Sequence, residues 1–366
     1  MSLRPTKWLW LTCAVSALVL LHFVLQQTSE QYNLSSPHLQ DYIPDIHLPL
    51  GSGAPRRANA TFLILARGKD LTGVLQSMHQ VEARFNEKHA YPWVILNDQP
   101  FSDDFKRRTQ AQASGNVWFG QIAKEHWGMP GWIDSKEAAE ARLKFTHVEH
   151  GNSLSFRNMF RWYSGLFYHH EILQNFRYYW RVDPDVRYFC DISQDPFVFM
   201  EDRNISYGFT LSPRENAQTI PTLWDSVAKF RRQYPHLIEK KNTMDFLSDN
   251  GGTSYNLCHF WSNFEIADMD FFRGEAYSQY FDFLDREGGI YYERWGDSVI
   301  KSIGVSLLLR KENIHFFEDI GFGHEPFEHC PTDEAVWQRG RCSCDPRKSF
   351  DTLSSSCLAK WKASGK

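Results

Sequence analysis

The 366-residue sequence predicts an α/β fold, a single large domain on a mixed sheet with a Rossmann-like nucleotide-binding half. An apolar strand at 61–66 is followed by a helix whose apolar face runs from Leu71 to Phe85, and then by a second strand at 93–96. Strand, helix and strand in this order begin a βαβ unit. With 42% hydrophobic and 15% aromatic residues, the chain has enough apolar surface for a large packed core.

The next elements continue this alternation. A third strand is predicted at 117–122, and a helix at 134–145 begins with Asp134 and Glu137, which are typical of a capping box. An aromatic helix at 156–173 then leads into a fourth strand. The order resembles the nucleotide-binding half of a doubly wound domain.

Polar residues follow the first two strands. Arg67 comes after the first strand and Asp98 after the second, and we predict that both contact a nucleotide. For Arg67, a surface salt bridge is the alternative. The sequence has no Gly-x-Gly-x-x-Gly fingerprint and no P-loop, so the diphosphate of a nucleotide would depend on a metal and on side chains.

The fourth strand lies in the run 178–185, which ends in an Asp-Pro-Asp sequence. Hard cations such as Mn²⁺ or Mg²⁺ prefer carboxylate oxygens and complete their shells with substrate phosphates. We therefore predict Asp183 and Asp185 as metal ligands, with Trp180 and Arg181 beside the nucleotide. A strand-end turn without a ligand is the alternative, because Asp and Pro also favour turns.

The second half of the chain contains two further acids in aromatic surroundings. Glu265 lies among aromatic and amide residues at 256–266, a setting that suits a carbohydrate and predicts a catalytic carboxylate. A core glutamate satisfied by backbone donors is the alternative. Asp297 ends a similar aromatic segment and is a second catalytic candidate, or simply the first residue of a helix. His324 is a metal ligand if oxygen ligands lie nearby, and otherwise a structural histidine.

The amino terminus predicts a membrane anchor. Residues 8–27 form an apolar span with basic residues before it and an acidic residue after it, which is typical of a type II anchor with a cytosolic tail at 1–7. A cleaved signal peptide is the alternative. A proline- and glycine-containing luminal stem is predicted at 28–58, followed by a luminal domain at 59–366 with halves at 59–190 and 191–366. Three glycosylation sequons, at Asn33, Asn59 and Asn204, are compatible with this topology.

The charge and the cysteines restrict the function classes further. A net charge of -4 gives no overall basic field that would attract nucleic acid.

The cysteines predict disulfides. Cys13 lies in the predicted span, and six cysteines remain to form three disulfides in an oxidising compartment. We expect Cys190 to pair with Cys258. The other four should form two disulfides within the carboxyl-terminal segment: Cys330, Cys342, Cys344 and Cys357. A zinc site at Cys342 and Cys344 is the alternative.

Three segments together are specific to one family. They are Tyr-Trp-Arg-Val with Asp-Pro-Asp at 179–185, CHFWSNFEI at 258–266 and YYERWGD at 291–297. From Ala60 to the cysteine-containing tail, the chain resembles the fungal α-1,2-mannosyltransferases of glycosyltransferase family 15.

This resemblance implies a GT-A-like single large domain, GDP-mannose as donor, Mn²⁺ as cofactor, and mannose transfer with retention. The acceptors would be mannose residues of O-linked and N-linked glycans on secretory and cell-wall proteins. The enzyme would be a Golgi membrane protein. The family's metal ligands correspond to Asp183 and His324, and its candidate nucleophile corresponds to Glu265.

Two residues depart from the family pattern. The family usually has Glu where this chain has Asp183, and a tyrosine near the reaction centre where this chain has Phe156.

Two other functions are alternatives to mannosyl transfer. One is a glycoside hydrolase that uses Glu265 and Asp297. The other is a catalytically weak or inactive mannoside-binding or scaffolding protein of the secretory pathway.

Overall fold

The computed structural model describes residues 56–365. The predicted tail, the predicted span and nearly all of the stem lie outside the described residues. Between residues 56 and 365, no helix has the length and apolar composition needed to cross a membrane. Residues from Arg56 onward form one unit by their internal contacts.

The strands are short and form two sheets. They are β1 (Ala60–Leu65), β2 (Trp93–Asn97), β3 (Val117–Gln121), β4 (Tyr178–Val182), β5 (Arg187–Tyr188), β6 (Tyr207–Phe209), β7 (Phe264–Asp268), β8 (Ile314–Phe316), β9 (Phe322–His324) and β10 (Phe327–His329). The large sheet has the order β3-β2-β1-β4-β7-β6-β8, and the small sheet has the order β10-β9-β5. Strands β1, β2, β3 and β4 pair in parallel, whereas β7 runs antiparallel to its neighbours β4 and β6. The large sheet is therefore mixed, as predicted.

Helices cover both faces of the large sheet. They are α1 (Leu71–Arg84), α2 (Asp103–Gln112), α3 (Lys124–Trp127), α4 (Ser135–Leu143), α5 (Leu154–Gly165), α6 (Pro196–Asp202), α7 (Leu223–Gln233), α8 (Met244–Leu247), α9 (Met269–Arg273), α10 (Glu275–Glu287), α11 (Gly289–Tyr292), α12 (Asp297–Leu308), α13 (Glu334–Arg339) and α14 (Leu358–Ala363).

Alternate strand residues point to opposite faces of the sheet and enter two separate cores. On β4, Trp180 belongs to the core that α1 covers, whereas Tyr179 belongs to the core formed with α5, α10 and α12. Arg181 is the next residue on the Tyr179 side. This alternation decides which residues of the aromatic run can reach the site described below.

Two predicted helices are shorter than expected. The helix at 156–173 is α5, which begins after Ser153 and ends at Gly165, a weak helix former, and two 3₁₀ turns complete the segment. The helix at 134–145 is α4, whose Asp134 carboxylate accepts hydrogen bonds from two backbone amides. The reciprocal half of the capping box is absent, because the Asp134 amide donates to the Tyr292 hydroxyl instead.

The predicted disulfide between Cys190 and Cys258 is wrong. The bonds are Cys190–Cys342, Cys258–Cys357 and Cys330–Cys344. The pairing follows from where the carboxyl-terminal segment docks. The Trp361 ring of α14 packs edge-on against Phe209, Phe246 and Phe260, which brings Cys357 to Cys258. All six cysteines of residues 56–365 are in disulfides, Cys342 and Cys344 among them, so the zinc alternative is wrong.

Candidate active site

The carboxyl ends of the parallel strands meet at one edge of the large sheet and open into a cavity of about 710 Å³. The segment before β7 reaches the same edge, because β7 runs antiparallel to β4. A cavity of this size is within the range that small-molecule ligands occupy.

Seven of the nine predicted site residues line this cavity: Arg67, Asp98, Arg181, Asp183, Asp185, Asp297 and His324. Trp180 does not, because it lies on the opposite face of β4, fully buried among aromatic rings. The expectation that Trp180 contacts the nucleotide is therefore wrong for this structure. Glu265 also lies behind the cavity wall.

One wall of the cavity is a face of α5, of which the sequence reasoning used only Phe156. Phe156, Met159, Phe160 and Tyr163 all line the cavity. Their spacing of three, four and seven residues places them on one helix face, which is a signal that could have been read from the sequence. The Phe156 ring stacks on His150 with 3.9 Å between the ring centroids.

Asp183 is held in position by two neighbours. Arg181 donates from Nε at 2.8 Å and from Nη2 at 3.0 Å, so the guanidinium grips both carboxylate oxygens. Asn263 donates to Oδ2 at 2.8 Å. The carboxylate is therefore oriented before any ligand binds.

Arg181 joins two acids that are distant in sequence. Its Nη1 donates to Oδ2 of Asp297 at 2.6 Å, and its guanidinium lies 3.7 Å from the centre of the Tyr163 ring. Burial alone would lower the pKa of Arg181, but the adjacent carboxylates of Asp183 and Asp297 raise it well above the usual value. The guanidinium thus stays charged inside the protein.

Asp297 is the first residue of α12, as its alternative interpretation predicted, and it also lines the cavity. Ser262 donates to Oδ2 at 2.7 Å, whereas Oδ1 accepts no hydrogen bond from the described residues. Burial raises the pKa of this carboxyl, but Arg181 and Lys301 outweigh that effect and bring it below the usual value. Asp297 is therefore a carboxylate with one occupied and one available oxygen.

Glu265 is fully buried and fully bonded. It lies opposite Arg181 in the β4–β7 register. Lys301 Nζ is 2.5 Å from Oε1, the Tyr207 hydroxyl donates to Oε2 at 2.7 Å, and the Tyr179 hydroxyl donates to Oε1. Burial raises the pKa of both phenols, so they remain donors. The alternative of a satisfied core glutamate describes this environment, although its donors are side chains and not backbone amides.

Sequence reasoning missed Lys301. It lies one turn after Asp297 on α12 and is completely buried, with Nζ 3.6 Å from the Asp297 carboxylate. A single lysine among the apolar and small residues that follow Asp297 in α12 is the signal that could have revealed it, because a buried ammonium needs an acidic partner.

The nucleotide candidates Arg67 and Asp98 lie at the ends of β1 and β2. Arg67 donates to the Ser155 hydroxyl at 2.5 Å, and it takes part in no ion pair with residues 56–365. Its charge faces the cavity, where an anionic group could bind.

The predicted metal ligands share the cavity without forming a closed cluster. Among residues 56–365, no three His, Cys, Asp or Glu side chains are close enough together to hold one ion. Nδ1 of His324 is buried without a hydrogen-bond partner, and Asp183 and Asp185 supply carboxylates to the same cavity. Carboxylate oxygen with imidazole nitrogen is a donor set that suits Mn²⁺.

Comparison with known proteins identifies the family. The family described as glycolipid 2-alpha-mannosyltransferase matches residues 24–365. The chain is 48% identical over 318 residues to alpha-1,2 mannosyltransferase KTR1 of Saccharomyces cerevisiae, covering 86% of this chain and 80% of that protein. It is 46% identical over 321 residues to glycolipid 2-alpha-mannosyltransferase 1 of Candida albicans, covering 87% and 74%.

Two solved structures share the fold. Core-mannan synthase A (CmsA/Ktr4) from Aspergillus fumigatus, in its Mn/GDP form, has a TM-score of 0.80 and 39% identity, with 86% of this chain and 87% of that chain covered. The mannosyltransferase Ktr4p from S. cerevisiae, in complex with GDP, has a TM-score of 0.80 and 36% identity, with coverage of 85% and 82%. The chain therefore belongs to glycosyltransferase family 15, the fungal α-1,2-mannosyltransferases.

Proposed function

We propose that this enzyme is a retaining α-1,2-mannosyltransferase that transfers mannose from GDP-mannose to a mannose residue of an O-linked or N-linked glycan. One observation carries the proposal. The side chains that a nucleotide-sugar transferase needs line a single cavity, in a chain 39% identical to a protein solved in its Mn/GDP form.

In this reaction, the bond between C1 of mannose and the β-phosphate oxygen breaks, and its electron pair leaves with GDP. An acceptor hydroxyl forms the new bond to C1 and gives up its proton. Retention requires either a covalent intermediate on a carboxylate or attack from the face that GDP leaves. In either route, a carboxylate near C1 would stabilise the positive charge that develops there.

Residues on the cavity wall divide into donor and sugar contacts. We assign Arg67 and Asp98, which both line the cavity, to the nucleotide. A divalent ion held by Asp183 and His324, with Asp185 contributing, would neutralise charge on the departing diphosphate. The Trp261 ring lies on the same wall, 5.7 Å from the His324 ring, and offers an apolar face for a sugar.

The same proposal places the enzyme in the Golgi membrane with its catalytic domain in the lumen. The sequence of the predicted span at 8–27 supports this location. Exposed sequons at Asn59 and Asn204 and three disulfides are compatible with a luminal domain.

The test uses the purified luminal domain with several nucleotide sugars, methyl mannoside, and Mn²⁺ with or without chelator. We expect transfer from GDP-mannose only, loss of transfer with chelator, and an α-1,2 linkage in the product by NMR. Chelator-resistant hydrolysis would instead indicate a glycosidase. Mannoside binding without GDP release would indicate an inactive binding protein.

The metal contribution has a separate test in Asp183. Asp183→Asn should lower kcat/KM by about 100-fold, because several kcal/mol of charge stabilisation depend on this carboxylate. It should also abolish the Mn²⁺-dependent gain in GDP affinity, measured by calorimetry. Asp183→Glu is the matched control and should retain most of both properties. Normal Mn²⁺ dependence in Asp183→Asn would contradict the assignment.

A further inference from the structure

Five charged side chains, of which Asp183 is partly buried and the other four are buried, form a continuous chain from the cavity wall into the core. Their charges alternate in sign along the order Asp183, Arg181, Asp297, Lys301 and Glu265. The joining distances are 2.8, 2.6, 3.6 and 2.5 Å. The exposed fraction of these side chains falls from 13% at Asp183 to 0% at Lys301 and Glu265.

We infer that Asp297 is the carboxylate that contacts the transferred mannose, and that Glu265 is a positioning residue that acts on Asp297 through Lys301. This inference rests on the proposed mannosyl transfer. It gives the two candidate catalytic acids different roles: Asp297 contacts the sugar, and Glu265 acts from behind the cavity wall.

Glu265 has no face available to a substrate. Three side chains surround its carboxylate, and Tyr179, Tyr207 and Lys301 are themselves buried. For Glu265 to reach C1 of a sugar, the ion pair with Lys301 would have to break and leave an ammonium without its partner in the core. Removing one partner of a buried pair is strongly destabilising.

Asp297 has the opposite arrangement. Oδ2 is held by Arg181 and Ser262, while Oδ1 accepts no hydrogen bond from residues 56–365 and the residue lines the cavity. Lys301 lies 3.6 Å away on the next turn of the same helix. The carboxylate is therefore fixed in direction, and its free oxygen can face a sugar that becomes positively charged at C1.

The step balances without a further reactant. As the bond from C1 to the phosphate oxygen breaks, the electron pair leaves with GDP and Asp297 stabilises the positive C1 through space. The acceptor hydroxyl oxygen bonds to C1 on the same face, and its proton passes to the departing phosphate oxygen. Asp297 is ionised before and after the step.

The experiment compares the wild type with Asp297→Asn, Glu265→Gln, Lys301→Met and the double variant Glu265→Leu with Lys301→Met. For each protein, kcat and the KM for methyl mannoside are measured, together with the affinity for GDP and Mn²⁺. Asp297→Asn should lower kcat by about 100-fold or more with GDP affinity retained. Glu265→Gln should lower kcat by no more than about 100-fold, the range for a residue that orients another.

The double variant separates positioning from direct participation. Lys301→Met leaves the Glu265 charge without its partner and should lose both stability and kcat. Removing both charges should restore stability and give a higher kcat than Lys301→Met alone. No such rescue is possible if Glu265 itself forms a bond to the sugar.

The results that overturn the inference are specific. A loss of more than about 1,000-fold in a folded, GDP-binding Glu265→Gln protein would give Glu265 a direct role, since loss of a nucleophile costs about 10⁴-fold or more. A double variant no more active than Lys301→Met would contradict the positioning role of Glu265. An Asp297→Asn protein with near-normal kcat would contradict the contact between Asp297 and the mannose. Failure of the wild type to transfer mannose would instead overturn the proposed function itself.

Discussion

At the scale of single residues, position 156 shows how one missing hydroxyl can matter without altering the structure. Phe156 lies on the cavity face of α5 and stacks on His150. The family usually has a tyrosine there, and the aromatic ring can keep the same packing with or without the hydroxyl. The change therefore affects the chemistry of the cavity and leaves the helix intact.

Phe156→Tyr should increase the affinity for the acceptor. One added hydrogen bond contributes about 0.5–1.5 kcal/mol, which corresponds to a KM for methyl mannoside lower by about 2–10-fold. The thermal midpoint and the GDP affinity serve as controls and should not change. A shift in GDP affinity with an unchanged acceptor KM would place residue 156 on the donor side.

At the scale of elements, helix α1 and the loop after β4 fit together closely. Asp185 has a φ of 64°, in the left-handed region, and its amide donates to the Gly73 carbonyl at 3.3 Å. A Cβ at Gly73 would lie 2.6 Å from a carboxylate oxygen of Asp185. Gly73 lies in the first turn of α1, where alanine would favour the helix more, so this close approach explains the glycine.

Gly73→Ala should displace the Asp185 carboxylate and weaken the Mn²⁺-dependent binding of GDP by about tenfold, within the range for residues that support a metal site. Stability should change by less than about 1 kcal/mol, because alanine favours the helix and the side chain of Asp185 can rotate. Calorimetry with and without Mn²⁺ provides the measurement. Gly131→Ala is the control, since no atom lies within 4 Å of its added Cβ. Unchanged GDP binding in Gly73→Ala would remove Asp185 from the metal site.

At the scale of the whole molecule, the disulfides connect the carboxyl-terminal segment to the core. Cys258–Cys357 closes a sequence separation of 99 residues and joins α14 to the segment before β7. Replacing both cysteines by serine should lower the free energy of unfolding by about 2–5 kcal/mol. Denaturant unfolding provides the measurement, and peptide mapping without reductant checks the three bonds. A recovered Cys190–Cys258 peptide would contradict the structure.

Stability should also fall as the pH decreases from 7.5 to 5.5. Burial lowers the pKa of five histidines: His89, His169, His170, His259 and His315. For His315, whose ring packs against Phe199 and Phe317, burial lowers the pKa from 6.5 to about 4. Below pH 6.5 the unfolded chain therefore binds more protons than the folded protein, and unfolding becomes easier.

His315→Phe tests this pH dependence, because phenylalanine does not titrate. Urea unfolding at the two pH values should show a smaller loss of stability in His315→Phe than in the wild type. His236→Phe, at an exposed position, is the control and should keep the wild-type slope. An unchanged slope in His315→Phe would show that the His315 ring takes up protons equally in the folded and the unfolded protein.

Local patterns in the sequence were sufficient for much of the fold and part of the site. Apolar runs predicted β1 to β4, with ends within one or two residues of those observed. Because parallel strands present their carboxyl ends at one edge, the residues just after them could be expected together, as Arg67, Asp98 and Asp183 are. The motif segments also identified the family.

The sequence by itself determined the first four strands, the first helix, the edge that carries the site and the family, because these depend on periodicity and short motifs. Only the tertiary structure decided that Trp180 faces away from the cavity, that Cys258 meets Cys357, and that Glu265 is enclosed by Lys301. The physical reason is separation along the chain. Arg181 and Asp297 are 116 residues apart, and their contact depends on how β4 and α12 pack, which no local pattern encodes.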